Sequence, residues 1–352
     1  MRGMAWPRVL PLSIGVVLAC GGGGSAGVTG LSANPDPPAE TTNGSGTASS
    51  TGGSTGGSTS SGGEGGAGSS STGMSFDMGA SPDFGPVTPA GCKGKIDLLF
   101  VISRDSLMDV QQEKLVADFP GFIAVIEDAF ADFDFHIMVI DGDQGWGSDL
   151  CNEGCEPEGC EDFPCELLDT VKACDEAIGA GTIFNAGRLA ANKPCGLAAD
   201  KRYLTKGQPN LAETFSCLAQ VGTSGSAQMI EALVASVSPK LRSGCNKGFL
   251  RDDAVLFVTF VRDTYDSLEG VPYEWHLQIR EAKGGDDNAI VLLDIGAFAD
   301  LAACEASNEP LCGLMKLFPY KAFVDNDSPT YVPGFAEATK LVAKACADFV
   351  PG

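Results

Sequence analysis

The stretch "KIDLLFVISRDSLMDVQQEKL" (residues 95–115) passes from an apolar run through a polar turn into an amphipathic segment. The run 96–102 is almost continuously apolar, as a parallel strand covered on both faces requires. From Leu115 to Phe130, apolar residues recur mostly every three or four positions, which predicts a helix with one buried stripe. Pro120 is expected to kink or split that helix. The stretch therefore predicts a strand–turn–helix unit.

Three further apolar runs have the same character and predict buried strands at 135–140, 254–261 and 289–295. Helical patterns alternate with them. The predicted helices cover 211–221, 227–237, 273–283 and 335–346. Alternating strands and helices predict an α/β fold, a doubly wound and mostly parallel sheet flanked by helices.

The N-terminus has the features of a targeting segment. Arg2 and Arg8 carry positive charge, and the apolar run 9–19 is short for a membrane span. The segment ends in "VVLAC", which resembles the lipobox of bacterial lipoproteins, in which the cysteine, here Cys20, is acylated. The resemblance implies a signal peptide at 1–19 and a lipid anchor at Cys20. The alternative is an ordinary signal peptide cut before a chance cysteine.

Residues 20–90 predict a disordered stalk behind that anchor. From Thr41 to Gly73, 29 of 33 residues are Gly, Ser or Thr, so little apolar surface is available to offset the entropy of ordering. We therefore expect an exported protein that is lipid-anchored in a bacterial cell envelope, at the outer membrane or cell surface. The formal net charge of −23 argues against nucleic acid as a partner.

Cysteine usage predicts disulfide bonds in the remaining domain, residues 91–352. The chain has 13 cysteines, and an even number remains once Cys20 is set aside. Four of them crowd into "CNEGCEPEGCEDFPC" (151–165), within a Cys- and Gly-rich insertion at about 149–201. A zinc site is the alternative for these four, although the spacing lacks C-x2-C pairs. The disulfide candidates are Cys92, Cys151, Cys155, Cys160, Cys165, Cys174, Cys195, Cys217, Cys245, Cys304, Cys312 and Cys346.

Three polar segments follow apolar strands or precede helices. They are "SRDSLM" (103–108), "GTSGS" (222–226) and "RDTYD" (262–266). In open α/β sheets, ligands bind at the carboxyl ends of the central strands, where such loops converge. Their oxygen-bearing side chains are of the kind that Mg²⁺ and Ca²⁺ prefer.

The chain from about Cys92 to Cys346 resembles a von Willebrand factor A-type (VWA) domain of a bacterial lipoprotein. The likeness lies in the order of elements and in four segments. These are "DLLFVI", "FPGFI", "LAETFSCLAQVGTSGS" and "FLRDDAVLFVTFVRD". The family implies a parallel-sheet core and, in active members, a metal-ion-dependent adhesion site. That site is built from D-x-S-x-S, a threonine loop and a distal aspartate, and a partner's carboxylate often completes the metal's coordination.

Carried over by position, D-x-S-x-S falls on residues 103–107. Ser103 stands where the family has its aspartate, Asp105 where it has the first serine, and Leu107 where it has the second. Thr223 and Asp263 match the threonine and the distal aspartate. Ser103, Asp105, Thr223 and Asp263 are thus the candidate ligands for Mg²⁺ or Ca²⁺. The departures, with Arg104 adding positive charge, favour a turn that keeps the fold without the metal.

The loop "DGDQGWGSD" (141–149) is a second candidate for cation binding. Asp141, Asp143 and Asp149 match positions 1, 3 and 9 of a calcium-binding hand. Trp146 replaces the glycine that the hand needs, Asn152 replaces its closing glutamate, and the loop follows a strand. An acidic turn is the preferred interpretation.

Catalytic motifs are weak. "GTSGS" nearly matches a serine-hydrolase elbow with Ser224 as nucleophile, but it follows a predicted helix. A Ser224–His276–Asp263 triad is a formal alternative, whereas His136 lies in a strand and is expected in the core. We therefore expect no enzyme but a binding or adhesion module for a protein or another extracellular surface component. The alternative is a structural envelope lipoprotein with a vestigial VWA fold.

Overall fold

The structure is a computed structural model that describes residues 91–148, 151, 155, 160, 163–198, 201–263, 265–266 and 270–351. The predicted signal peptide, Cys20 and the predicted stalk lie outside these residues. The strands are β1 Lys95–Ile102, β2 Asp134–Asp141, β3 Leu204–Thr205, β4 Val255–Val261, β5 Ile290–Gly296 and β6 Tyr320–Asp325. The helices are α1 Asp109–Ala129, α2 Leu211–Leu218, α3 Met229–Ser236, α4 Pro239–Ser243, α5 Pro272–Glu281, α6 Leu301–Ser307, α7 Pro310–Met315 and α8 Val332–Asp348. Within these ranges, no helix is long and apolar enough to cross a bilayer.

The strands form one sheet in the order β3-β2-β1-β4-β5-β6. All neighbours pair in parallel except β3, which runs antiparallel to β2. The predicted fold class, an α/β sheet that is mostly parallel and flanked by helices, is confirmed. Because the order reverses between β1 and β4, the crevice at their carboxyl ends is the place where ligands bind in folds of this kind.

Helices cover both faces of the sheet, so the central strands are buried, as their continuous apolar sequence predicts. On one face, α1 packs against α2 and α8. Phe119 lies 4.4 Å from Phe215, and Phe122 stacks on Phe335 at 4.4 Å between ring centroids. Pro120 does not split α1, because it occupies an exposed position where water can reach the backbone groups it leaves unpaired.

All twelve cysteines from Cys92 onward pair, which confirms disulfides and excludes the zinc alternative. Two bonds, Cys151–Cys160 and Cys155–Cys165, lie within the insertion. The insertion is also bonded to the rest of the domain through Cys174–Cys245 and Cys195–Cys217. It is therefore fastened to the core at two further points. The other pairs are Cys92–Cys346 and Cys304–Cys312.

A cluster of charged and polar side chains lies at the amino ends of β1 and β2. Asp97 is buried, and Arg251 donates to it from its backbone N–H (2.7 Å) and from Nε (2.8 Å). Burial raises the pKa of Asp97 to about 6, although Arg251 opposes the shift. His136 lies 3.6 Å from Asp97, and its Nδ1 is 2.8 Å from the carbonyl oxygen of Phe249. His136 is therefore a satisfied core histidine, as expected.

The free energy of unfolding is expected to depend on pH through the protonation of His136. Burial lowers the pKa of His136 to about 4, whereas an unfolded histidine titrates near 6.5. As the pH falls from 6.5 to 4, the unfolded chain binds a proton that the folded chain does not, so the stability contributed by neutral His136 is lost. Relative to His136→Asn, whose amide can still donate to Phe249, we expect the wild type to lose about 2–3 kcal/mol between pH 7 and pH 4. Urea unfolding of both proteins across this range measures the difference, and parallel curves would contradict it.

Candidate functional site

Loops from three parts of the chain meet at the carboxyl ends of β1 and β2. We call residues 103–108, 141–148 and 222–228 the switch-point loops. Their backbones are directly bonded: Arg104 N–H donates to Ser226 O (3.2 Å), and Gly225 N–H donates to Arg104 O (2.9 Å). Gln228 N–H donates to Gly142 O (2.8 Å). The end of β4 joins them, because Ser103 N–H donates to Val261 O (2.9 Å). Two of the three segments expected to meet, 103–108 and 222–226, are therefore in direct contact, and the loop after β2 joins them.

Ser103 and Asp105 use their oxygens to shape their own turn. Ser103 is buried, and its Oγ accepts the backbone N–H of Asp105 (3.1 Å). Asp105 Oδ1 accepts the backbone N–H of Leu107 (3.0 Å), which is the hydrogen bond of an Asx turn. Asp105 thus orders the turn that carries Leu107, whose own side chain is 66% exposed.

Thr223 and Asp263 are the other two candidate ligands. Thr223 is buried, and its backbone N–H donates to Arg188 O (3.1 Å), while its Oγ1 makes no hydrogen bond with the described residues. Both carboxylate oxygens of Asp263 are also buried. Asp263 follows the end of β4 by two residues. Thr223 and Asp263 therefore both lie in segments that adjoin the crevice.

Arg104 is the side chain that sequence reasoning underrated. It is fully buried, and it crosses from the loop after β1 to the loop after β2. There Nη1 donates to Gly145 O (2.6 Å) and Nη2 donates to Gly147 O. Nη1 also lies 3.7 Å from Asp141 Oδ2 and 3.8 Å from Asp143 Oδ2. Arg104 therefore supplies a fixed positive charge inside the acidic loop.

The loop 141–148 is held by this arginine and by neighbouring polar groups. Asp141 Oδ2 accepts from Asn185 Nδ2 (2.7 Å), and Asp143 Oδ2 accepts from the backbone N–H of Ser226 (3.1 Å). Burial raises the pKa of Asp141 to about 6, against the lowering effect of Arg104. Trp146 is buried, with Nε1 donating to Phe184 O (3.2 Å). Asp149 and Asn152 of the calcium-hand alternative lie outside the described residues.

With Arg104 in place, the residues present do not fit a divalent cation. Of the four candidate ligands, only Asp105 and Asp263 are carboxylates, and the first is occupied as the cap of its own turn. The adjacent Asp141 and Asp143 already face a guanidinium. Across the described ranges, the Asp, Glu, His and Cys side chains form no group of three or more that could hold a metal ion. A divalent cation would therefore have to displace the guanidinium from these carboxylates.

The contacts made by the described residues do not assemble the alternative catalytic triad. His276 Nε2 lies 2.8 Å from Asp287 Oδ1, and Asp287 precedes β5, at the opposite end of the sheet from the switch-point loops. Ser224 instead lies beside Gly187, where an added Cβ would be 3.5 Å from the serine Oγ. The acid that pairs with His276 is thus not Asp263.

A second buried arginine follows β4 and was not anticipated from the sequence. Arg262 donates from Nε and Nη2 to the two carboxylate oxygens of Asp294 (2.8 and 2.7 Å), and its Nη1 is 3.5 Å from Glu309 Oε1. Burial alone would lower the pKa of Arg262, but Asp294 and Glu309 raise it above its usual range. The available signal was Asp294 itself, a single charge within the otherwise apolar strand β5, which requires a partner.

Comparisons with known proteins do not identify a family. No protein-family model matches the chain, and no curated protein matches it. Among solved structures, it is similar to proximal thread matrix protein 1 from the mussel byssus, with a TM-score of 0.34 and 9% sequence identity. The match covers 72% of this chain and 48% of that one, so the chain spans about half the length of that protein. A likeness at this level carries no argument about function.

Proposed function

We propose that this chain is an exported, non-catalytic binding or adhesion module of the VWA class, presented on a stalk that is anchored to a bacterial envelope through Cys20. Its ligand is a protein or another component of an extracellular surface. The ligand docks on the switch-point loops, without a divalent metal. The mostly parallel sheet is consistent with the parallel-sheet core that this class implies. Six disulfides support an oxidising, extracellular setting.

The observation that carries the proposal is exposed apolar surface on the loop 103–108 and on the residues beside it. Leu107 and Val110, around the start of α1, are 66% and 62% exposed. Arg188 forms an ion pair with Asp109, and this pair brings Leu189, another exposed apolar residue, to the first turns of α1. Exposed apolar side chains on a preorganised surface favour association with a partner, because little conformational entropy is lost on binding.

Leu107→Asp tests the docking surface. We expect this variant to lose most of its retention of ligand, because a carboxylate would have to be desolvated at the centre of the interface. The immobilised full chain is exposed to solubilised surface proteins and glycans from neighbouring cells, with and without a chelator. Retained material is then compared between the wild type and the variant by mass spectrometry.

Val350→Asp is the matched control. Val350 is 75% exposed and follows α8 near Cys92, at the amino end of the sheet. The Val350→Asp variant should therefore retain the same ligand as the wild type. We expect the chelator to change nothing. If no component is retained by the wild type and lost specifically in Leu107→Asp, the binding proposal is wrong and a structural role in the envelope becomes the better explanation.

A further inference from the structure

The guanidinium of Arg104 is enclosed by four oxygens that belong to a single loop. Two are the backbone carbonyl oxygens of Gly145 and Gly147, which accept its hydrogen bonds. The other two are Asp141 Oδ2 and Asp143 Oδ2, at 3.7 and 3.8 Å. We call this set the oxygen cage. Because Arg104 is fully buried, these oxygens are the surroundings that replace water around its charge.

The cage is also held by groups other than Arg104. Asn185 donates from Nδ2 to Asp141, and its Oδ1 accepts the backbone N–H of Gly147 (2.8 Å). Ser226 N–H fixes Asp143 Oδ2. At Gly225, an added Cβ would lie 2.1 Å from Asp143 Oδ2, so this close approach requires glycine. Asp141, Asp143 and Gly147 are therefore held by contacts that do not depend on the guanidinium.

The donor set of the cage is that of a site for a hard cation. Two carboxylates and two backbone carbonyls are ligands that Ca²⁺ takes in proteins, and they would neutralise a double positive charge. A guanidinium offers a single charge and several N–H donors, so it can bridge the same oxygens while excluding a metal ion. The fully buried charge seated among these oxygens distinguishes the cage from a surface cluster of acids.

We propose that the oxygen cage is a cation-binding site whose cation is the side chain of Arg104, and that removing this guanidinium opens the cage to Ca²⁺. The inference does not depend on the proposed function, because it concerns only the residues of the cage. It implies that the switch-point loops of the wild type keep their order without a divalent metal. It also implies that the acidic loop and Arg104 act as one unit, so that loss of either partner leaves buried charge uncompensated.

Thermal unfolding of the full chain tests the cage. We expect the wild type to have the same Tm in chelator and in millimolar Ca²⁺. Arg104→Ala should have a clearly lower Tm in chelator, because the two carboxylates then repel each other without a counter-charge. Ca²⁺ should restore several degrees of that loss. In the double variant Arg104→Ala/Asp143→Asn, which removes one carboxylate of the cage, Ca²⁺ should restore little.

Terbium luminescence gives a second readout that does not depend on stability. Trp146 stands between Gly145 and Gly147 in the chain and lines the same small cavity as Asp141 and Asp143, so Tb³⁺ held in the cage should show emission sensitised by the indole. We expect this emission in Arg104→Ala and in Arg104→Gln, competed away by Ca²⁺, and none above background in the wild type. A wild-type Tm that falls in chelator would contradict the proposal, as would variants that gain no more from Ca²⁺ than the wild type does. Failure of both variants to fold even with Ca²⁺ would also overturn it, because the ion would then not replace the guanidinium.

Discussion

Replacing Asp294 with alanine is expected to lower the free energy of unfolding by about 3–5 kcal/mol. Asp294 and Arg262 are both fully buried, and two hydrogen bonds of 2.8 and 2.7 Å join the guanidinium to the carboxylate. Once the carboxylate is removed, the guanidinium retains Glu309 at 3.5 Å but loses both of these bonds in a place that water does not reach. Chemical denaturation followed by tryptophan fluorescence measures the loss.

Two comparisons make the Asp294 experiment specific. Asp294→Asn keeps one acceptor for the guanidinium and should lose less than Asp294→Ala. Asp252→Ala removes an ion pair of similar length, 2.8 Å to Arg242, but Asp252 is 90% exposed, so about 1 kcal/mol or less is expected. If Asp294→Ala costs no more than Asp252→Ala, the buried pair does not stabilise the end of β4 as inferred.

The second large effect is expected from Cys92–Cys346, which joins the start of β1 to the last helix. Its sequence separation is 254 residues, so breaking it releases a long constraint on the unfolded chain. The chain-entropy account gives a loss of about 5–6 kcal/mol for Cys92→Ala/Cys346→Ala. Both cysteines are fully buried, so the alanines also leave a small gap in the core. Unfolding in urea under oxidising conditions measures the change.

Cys304–Cys312 is the matched control for the long-range disulfide. Its sequence separation is only 8 residues, and it belongs to a small separate cluster with Phe298. For Cys304→Ala/Cys312→Ala we expect a loss of about 2–3 kcal/mol. Equal losses for the two pairs would show that chain entropy does not set the ranking.

The central strands could be read from the sequence because burial on both faces leaves an unbroken apolar run. Their observed bounds differ from the predicted ones by about one residue, as β1 and β4 illustrate. The edge strands β3 and β6 were missed. β6 is only half-buried along most of its length, so its sequence "YKAFVD" mixes polar and apolar residues and lacks that signal.

The convergence of loops at the end of β1 was also predictable, because parallel strands place their carboxyl ends at one edge. The role of Arg104 was not. From its position beside Asp105, Arg104 was expected to weaken metal binding by its positive charge. Its actual partners, Gly145 and Gly147, are about 40 residues away in the chain. No local pattern encodes such a contact.

The sequence alone determined the class of fold and the even set of cysteines in the domain, because hydrophobic periodicity and composition are local properties. Only the tertiary structure decided which cysteines pair, which acid faces each buried arginine and which apolar side chains remain exposed. These depend on the distances between residues that are remote in the chain. The partner of a buried charge is whichever residue the fold brings next to it, at any distance along the chain.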